Sequence, residues 1–131
     1  MLLVLSPAKS LDFETPPHIK TSTQPQFIPQ SSALMKLLRE YDVPQLSQLM
    51  HISDKLAALN VARNSEWKAK FDETNAKQAI LAFDGDVYTG FDATSLSARE
   101  LNHAQKVVRT LSGLYGILRP LDLMRTYRLE L

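Results

Sequence analysis

The 131-residue sequence predicts a mixed α/β (α+β) fold with a helical middle and a few short strands. Three observations carry that reading. Met1 to Leu5 is an unbroken apolar run closed by Ser6-Pro7, the mark of a covered strand. Between Ser31 and Phe71, apolar residues recur at helical spacing behind capping residues. Further on, Ser97-Ala98-Arg99-Glu100 matches a capping box and opens an apolar helical stripe.

Taken in order, the opening run is expected to be a strand buried on both faces. Residues 14–30 carry Pro16, Pro17, Pro25 and Pro29, which forbid a helix interior and predict an extended loop. Ser31 or Ser32 is expected to cap a helix through about Tyr41, with Leu34, Leu37, Leu38 and Tyr41 on its apolar face. Pro44 suits the first turn of a second helix, with Asp42 or Val43 near its cap and Leu46, Leu49 and Met50 facing inward. Ser53 caps a third helix with Asp54 in its first turn. Leu56, Leu59 and Ala62 with Arg63 continue that helix, and Trp67 and Phe71 anchor its far end.

Ala79 to Phe83 reads as a second strand, broken by Asp84-Gly85 and resumed by Val87-Tyr88-Thr89. The helix opened by Ser97 is predicted to bury Leu101, Ala104, Val108 and Leu111 and to stop at Gly113. Leu114 to Leu118, interrupted by Gly116, is a tight turn or a short strand. Tyr127, Leu129 and Leu131 alternate with Arg128 and Glu130 as in a half-buried strand. Because the pattern stops there with few strands to pair, residues 1–131 are expected to be the amino-terminal part of a single larger domain, truncated before its sheet is complete.

Composition narrows the function classes. Apolar residues make up 44% and charged residues 22%, an ordinary globular balance. The absence of cysteine removes disulfides, thiolate metal sites and a cysteine nucleophile together. The short apolar start, followed rather than preceded by Lys9, fits neither a signal peptide nor a membrane span, so a soluble cytoplasmic protein is expected. The net charge of +1 is unevenly spread. Arg99, Lys106, Arg109, Arg119, Arg125 and Arg128 face only Glu100 and Asp122 within residues 99–128, which hints at an anion-facing surface.

Several strings, in order and nearly end to end, resemble the YaaA family of bacterial peroxide-stress proteins. They are Leu5-Ser6-Pro7-Ala8-Lys9 with Leu11-Asp12, and Ile52-Ser53-Asp54-Lys55-Leu56-Ala57 with Asn60 and Arg63. Gln78-Ala79-Ile80 and Phe83 follow, then Gly85-Asp86-Val87-Tyr88-Thr89-Gly90. The last are Leu111-Ser112-Gly113-Leu114-Tyr115-Gly116, Leu118 to Met124, and Tyr127-Arg128-Leu129-Glu130. The resemblance implies a longer protein with a second half rich in lysine and aromatic residues. It also implies protection against hydrogen peroxide by keeping unincorporated iron low and limiting oxidative DNA damage. DNA binding through a helix-hairpin-helix-like element and a positive cleft is implied in the same way.

The residues suggest where such chemistry could sit. Ser6 and Lys9, leaving a strand end, suit phosphate, although no glycine-rich phosphate loop is present. The helical joint at His51-Ile52-Ser53, with Lys55 beside it, could hold a DNA phosphate, although the usual hairpin glycines are missing; an ordinary helical hairpin packed on a core is the plainer reading. Asp84, Asp86 and Tyr88 would share one face of an extended chain, and two carboxylates can bind Mg²⁺, Mn²⁺ or ferrous iron; a polar turn is the plainer reading. Arg99, His103, Lys106 and Arg109 form a helix stripe that is either solvated or follows a phosphate backbone. Tyr115, Arg119 and Arg128 could converge with Lys9 and Tyr88 on one cleft, or Arg119 could pair with Asp122 or Asp86.

The phosphate candidates are therefore Ser6, Lys9, Lys55, Arg63, Arg119 and Arg128, with Asp86, Tyr88 and Tyr115 in the cleft and Asp84 and Asp86 as weak metal candidates. Expected partners are DNA, or else a nucleotide or ferrous iron, and not a membrane. An enzyme acting on a nucleotide or nucleobase-like ligand is the alternative. No nucleophile–base pair is legible, so no reaction is assigned.

Overall fold

A computed structural model describes residues 1–72 and 74–129. Its principal sheet has three strands in the order β1-β5-β6. Strand β1 (Leu3–Leu5) runs parallel to β5 (Val108–Ser112), which pairs antiparallel with β6 (Gly116–Leu118). Two short antiparallel ladders stand apart. One joins β2 (Ser10–Leu11) to β4 (Phe83–Asp84), the other β3 (Lys77–Gln78) to β7 (Leu123–Met124). The mixed fold with small, incomplete sheets matches the expectation.

The helical middle is present, with boundaries and faces that differ from the periodicity reading. Helix α1 (Ile28–Leu38) starts earlier than Ser31 because Pro29 occupies its first turn, where a missing N–H costs nothing. Ser31 is consequently inside the helix, its hydroxyl donating to the Phe27 carbonyl at 3.0 Å. The buried stripe is Ser31, Met35 and Leu38, while Leu34 and Leu37 stay exposed. Helix α2 (Val43–Met50) follows expectation, with Asp42 and Gln45 forming a reciprocal capping box.

Ser53 caps α3 (Asp54–Glu66) as expected. Its buried residues, however, are Ala57, Asn60 and Asn64, with Leu59 exposed. Asn60 is tolerated inside because its amide donates to the Leu56 carbonyl at 2.9 Å. Trp67 and Phe71 do anchor the far end, packed edge to face with ring centres 5.8 Å apart.

Three further differences matter for the site. Ala79 to Ala82 is not strand, and only Phe83 of the predicted run is: α4 (Ala79–Ala82) is a single helical turn between β3 and β4, wholly buried. A short apolar run buried on all sides has no period with which to choose strand over helix. Val87-Tyr88-Thr89 is likewise helical, within α5 (Asp86–Phe91). Helix α6 (Ala98–Val107) has its predicted capping box but ends at Val107, and Val108 enters β5. The β-branched pair Val107-Val108 suits the switch, and the parallel ladder to β1 fixes it. Gly113 therefore ends a strand rather than a helix, and Leu111 is exposed.

The opening strand also departs from expectation: Leu2, Leu3 and Val4 are exposed. No strand follows Met124 among the described residues, where Tyr127 is buried and Leu129 half-buried; Glu130 and Leu131 lie outside them. The largest wholly buried side chain is Tyr115, in a core shared by the helical middle and the sheet. No helix among the described residues is long and apolar enough to cross a membrane.

Candidate functional site

Strand β1 ends at Leu5, and Ser6-Pro7-Ala8-Lys9 leaves the sheet toward β2. Tyr88 fixes the path of this segment. Its phenol donates to the Ser6 carbonyl at 2.7 Å and lies 3.3 Å from the Thr110 hydroxyl on β5. The Tyr88 ring stacks on Phe83 at 5.3 Å. Burial pushes the Tyr88 phenol above its ordinary pKa, and the Thr110 contact offsets part of that. Tyr88 thus serves as a prop beneath the Ser6–Lys9 segment. Ala8 also meets Gly85 so closely that a Cβ there would sit 3.2 Å from the Ala8 methyl.

Two grooves flank this segment and share Pro7, Ala8 and Lys9. One, of about 360 Å³, adds Ser6, Asp84, Asp86 and Tyr88. The other, of about 200 Å³, adds Gly113, Tyr127 and Arg128. Lys9 therefore stands on the ridge between an acidic groove and a cationic one. Arg63 is drawn toward the same region. Burial lowers its pKa first, and the positive charge of Arg128 lowers it further, so the two guanidinium groups lie within electrostatic reach of each other. Clustered cations of this kind favour an anionic guest.

The structure thus brings together Ser6, Lys9, Asp84, Asp86, Tyr88 and Arg128, with Arg63 close to Arg128. The remaining candidates lie elsewhere. Lys55 is exposed on the first turn of α3 and lines neither groove. Tyr115 is wholly buried, its hydroxyl accepting from Trp67 Nε1 at 2.8 Å and from the Arg125 N–H at 2.9 Å, and it lines neither groove beside Lys9. Arg119 is bound to the buried Asp122 carboxylate, 2.9 Å from Nη2 to Oδ1, and is structural glue.

The stripe of Arg99, His103 and Lys106 is an exposed face of α6, but Arg109 lies in β5 and turns back onto the Gln105 and Val108 carbonyls at 2.7 and 2.8 Å. Asp84 and Asp86 are exposed, and the helical start at Asp86 breaks the alternation that would have aligned them with Tyr88. Among the described residues no group of three or more His, Cys, Asp or Glu is placed to hold a metal ion.

The α2–α3 joint is a true helical hairpin. His51 takes the left-handed conformation (φ 55°) that glycine usually supplies, and the Ile52 N–H reaches back to the Ser47 carbonyl at 3.1 Å. Sequence reasoning missed Lys77. Its nearly buried ammonium donates to the Asp12 and Thr15 carbonyls at 2.9 and 2.7 Å and tethers the start of the proline-rich loop. No local signal marks that lysine, since its partners lie far away in sequence.

This architecture and its two-sided groove define a mixed α/β protein with a cationic rim beside a strand end. The chain belongs to the family described as peroxide stress protein YaaA, whose model matches residues 1–131. Among similar proteins, the UPF0246 protein of Ralstonia nicotianae is 58% identical over 131 residues, covering 100% of this chain and 51% of the relative. A UPF0246 protein of Cupriavidus pinatubonensis is 60% identical over all of this chain and 50% of its own length. That of Janthinobacterium sp. is 56% identical over all of this chain and 51% of its own. The chain spans about half the length of the curated relatives it matches.

Proposed function

We propose that this chain carries the phosphate-contacting part of a peroxide-stress protein that binds DNA and limits iron-driven oxidative damage in the cytoplasm. The observation that supports this reading is the meeting of Lys9 and Arg128 in one groove, with Arg63 close enough to feel the Arg128 charge. These residues come from a loop after β1, from α3 and from the segment after β7, and no short-range pattern would collect them. Cations assembled this way neutralise backbone phosphates and position a nucleic acid without reading its sequence. The hairpin between α2 and α3, with Lys55 at its rim, supplies a second phosphate contact.

The test is duplex DNA binding titrated against salt. Affinity is expected to fall steeply as salt rises, and Lys9→Ala or Arg128→Ala each to reduce the logarithmic salt slope by about one. An affinity that ignores salt, or slopes unchanged in both variants, would overturn the reading.

The contiguity of the two grooves favours one other ligand class, a nucleotide. Its phosphate would lie toward Lys9 and Arg128, and its sugar or base donors toward Asp86 and Ser6. Such a ligand at a hundred times its dissociation constant stabilises the fold by about 2.7 kcal/mol. A nucleotide panel that leaves the melting temperature unmoved removes this alternative and leaves the DNA reading standing.

A further inference from the structure

We infer that the outer face of the β1-β5-β6 sheet is the docking surface for the polypeptide that makes up the unmatched half of the longer relatives. Strand register defines the face. Val4 lies opposite Arg109, and Leu111 opposite Ile117, so these four side chains project to one side of the sheet. Val108, Thr110 and Leu118 project to the other side and are buried at 3%, 4% and 0% exposure. The outer aliphatics are bare by contrast: Val4 is 56%, Leu111 49% and Ile117 41% exposed.

Parallel strands are almost always covered on both faces, and here a parallel pair has one face uncovered. The edge is open too. Among the described residues strand β1 pairs only with β5, and Leu3 beside that edge is 48% exposed. An apolar face and a free strand edge together ask for more polypeptide, not for a small ligand.

Two observations name the occupant. The matched stretch is only 51% of the Ralstonia relative, so that protein carries about as much chain again outside it. The last described residue also lies at this sheet. The Leu129 carbonyl approaches Gly113, at the β5–β6 turn, so closely that a Cβ there would be 2.8 Å from it. The end of the described backbone therefore reaches the β5–β6 end of the sheet.

The absence of native cysteine allows a direct test. Val4→Cys and Leu111→Cys are made singly in this chain, and cysteine is placed at the matching positions of the full-length Ralstonia relative in a cysteine-free background. Ala104→Cys, at a buried small residue, reports an intact core. Maleimide labelling at positions 4 and 111 is expected to be fast in this chain and at least about tenfold slower in the relative, as for sites reached only by opening. Equally fast labelling in the relative would overturn the proposal, whatever the core reporter shows. So would protection in this chain accompanied by a dimer mass in sedimentation, which assigns the face to a second copy.

Discussion

The Arg119 guanidinium lies 2.9 Å from the Asp122 carboxylate, which is wholly buried and also accepts the Arg119 N–H at 2.8 Å and the Thr23 hydroxyl at 2.6 Å. Arg119 Nη2 reaches on to the Gln24 carbonyl at 2.8 Å. One ion pair thus ties the end of the proline-rich loop to the turn before β7. Removing one partner of a buried pair strands the other, so Asp122→Ala is expected to cost about 3–5 kcal/mol in urea unfolding.

The same pairing separates Arg119 from the groove residues. Arg119→Ala is expected to lower the melting temperature and leave the salt dependence of DNA binding unchanged. Lys9→Ala is expected to lower that salt dependence, as the loss of one phosphate contact does. If Lys9→Ala unfolds the chain while DNA binding survives in Arg119→Ala only weakly, the two assignments must be exchanged.

Tyr115 makes stability fall at alkaline pH. Its phenol is pushed from 10.0 up to about 12, chiefly by burial, with the hydrogen bonds from Arg125 and Trp67 working the other way. Between those values the unfolded state releases a proton that the folded state keeps, so stability declines as pH rises, by about 3 kcal/mol in all. Lys77 contributes with the opposite sign. Burial lowers its pKa, so its charging penalty is relieved as pH climbs toward the unfolded value of 10.5. Tyr115→Phe should flatten the decline above pH 10. It should also cost about 1–3 kcal/mol at pH 7 by stranding the Trp67 and Arg125 donors. Urea midpoints stepped from neutral to alkaline pH, wild type against variant, measure both effects.

Two glycines should respond oppositely to alanine. A Cβ at Gly113 would meet the Leu129 backbone oxygen at 2.8 Å, whereas at Gly90 it meets nothing within 4 Å. Gly113→Ala is expected to destabilise by about 1–3 kcal/mol through overpacking. Gly90→Ala, in the exposed part of α5, should stabilise by about 0.4–1 kcal/mol by restricting the unfolded chain. Thermal melts of the two variants decide the matter.

His51 holds a left-handed conformation at the α2–α3 hairpin, which costs a side-chain-bearing residue about 1–2 kcal/mol. His51→Gly removes that cost at some expense in unfolded-state entropy, and a net gain of about 0.5–1 kcal/mol is expected. A loss of stability on this change would show that the His51 ring itself is held by its surroundings.

Local chemistry was legible wherever a partner lies within a few residues. The caps at Asp42, Ser53 and Ser97 stand where side-chain oxygens predict them, because each bonds a backbone donor three residues on. The ordered strings that resemble the YaaA family run across nearly the whole chain and carried the family assignment, which the match over residues 1–131 bears out. The mixed fold class followed from the same local signals.

Tertiary structure decided what depends on remote neighbours. Val108 leaves the helical stripe because β1 offers it a parallel ladder, and Ala79–Ala82 coils because burial on every side erases any periodic preference. The buried stripes of α1 and α3 fall on Met35 and Ala57 rather than on Leu34, Leu37 and Leu59, because the packing partner, not the density of leucines, selects the inward face. Lys9 and Arg128 share a groove while Arg119 and Tyr115 do not, since only the folded path sets which distant side chains meet. Spacing along the chain determines hydrogen bonds that close over one turn; contacts that close over a hundred residues belong to the fold.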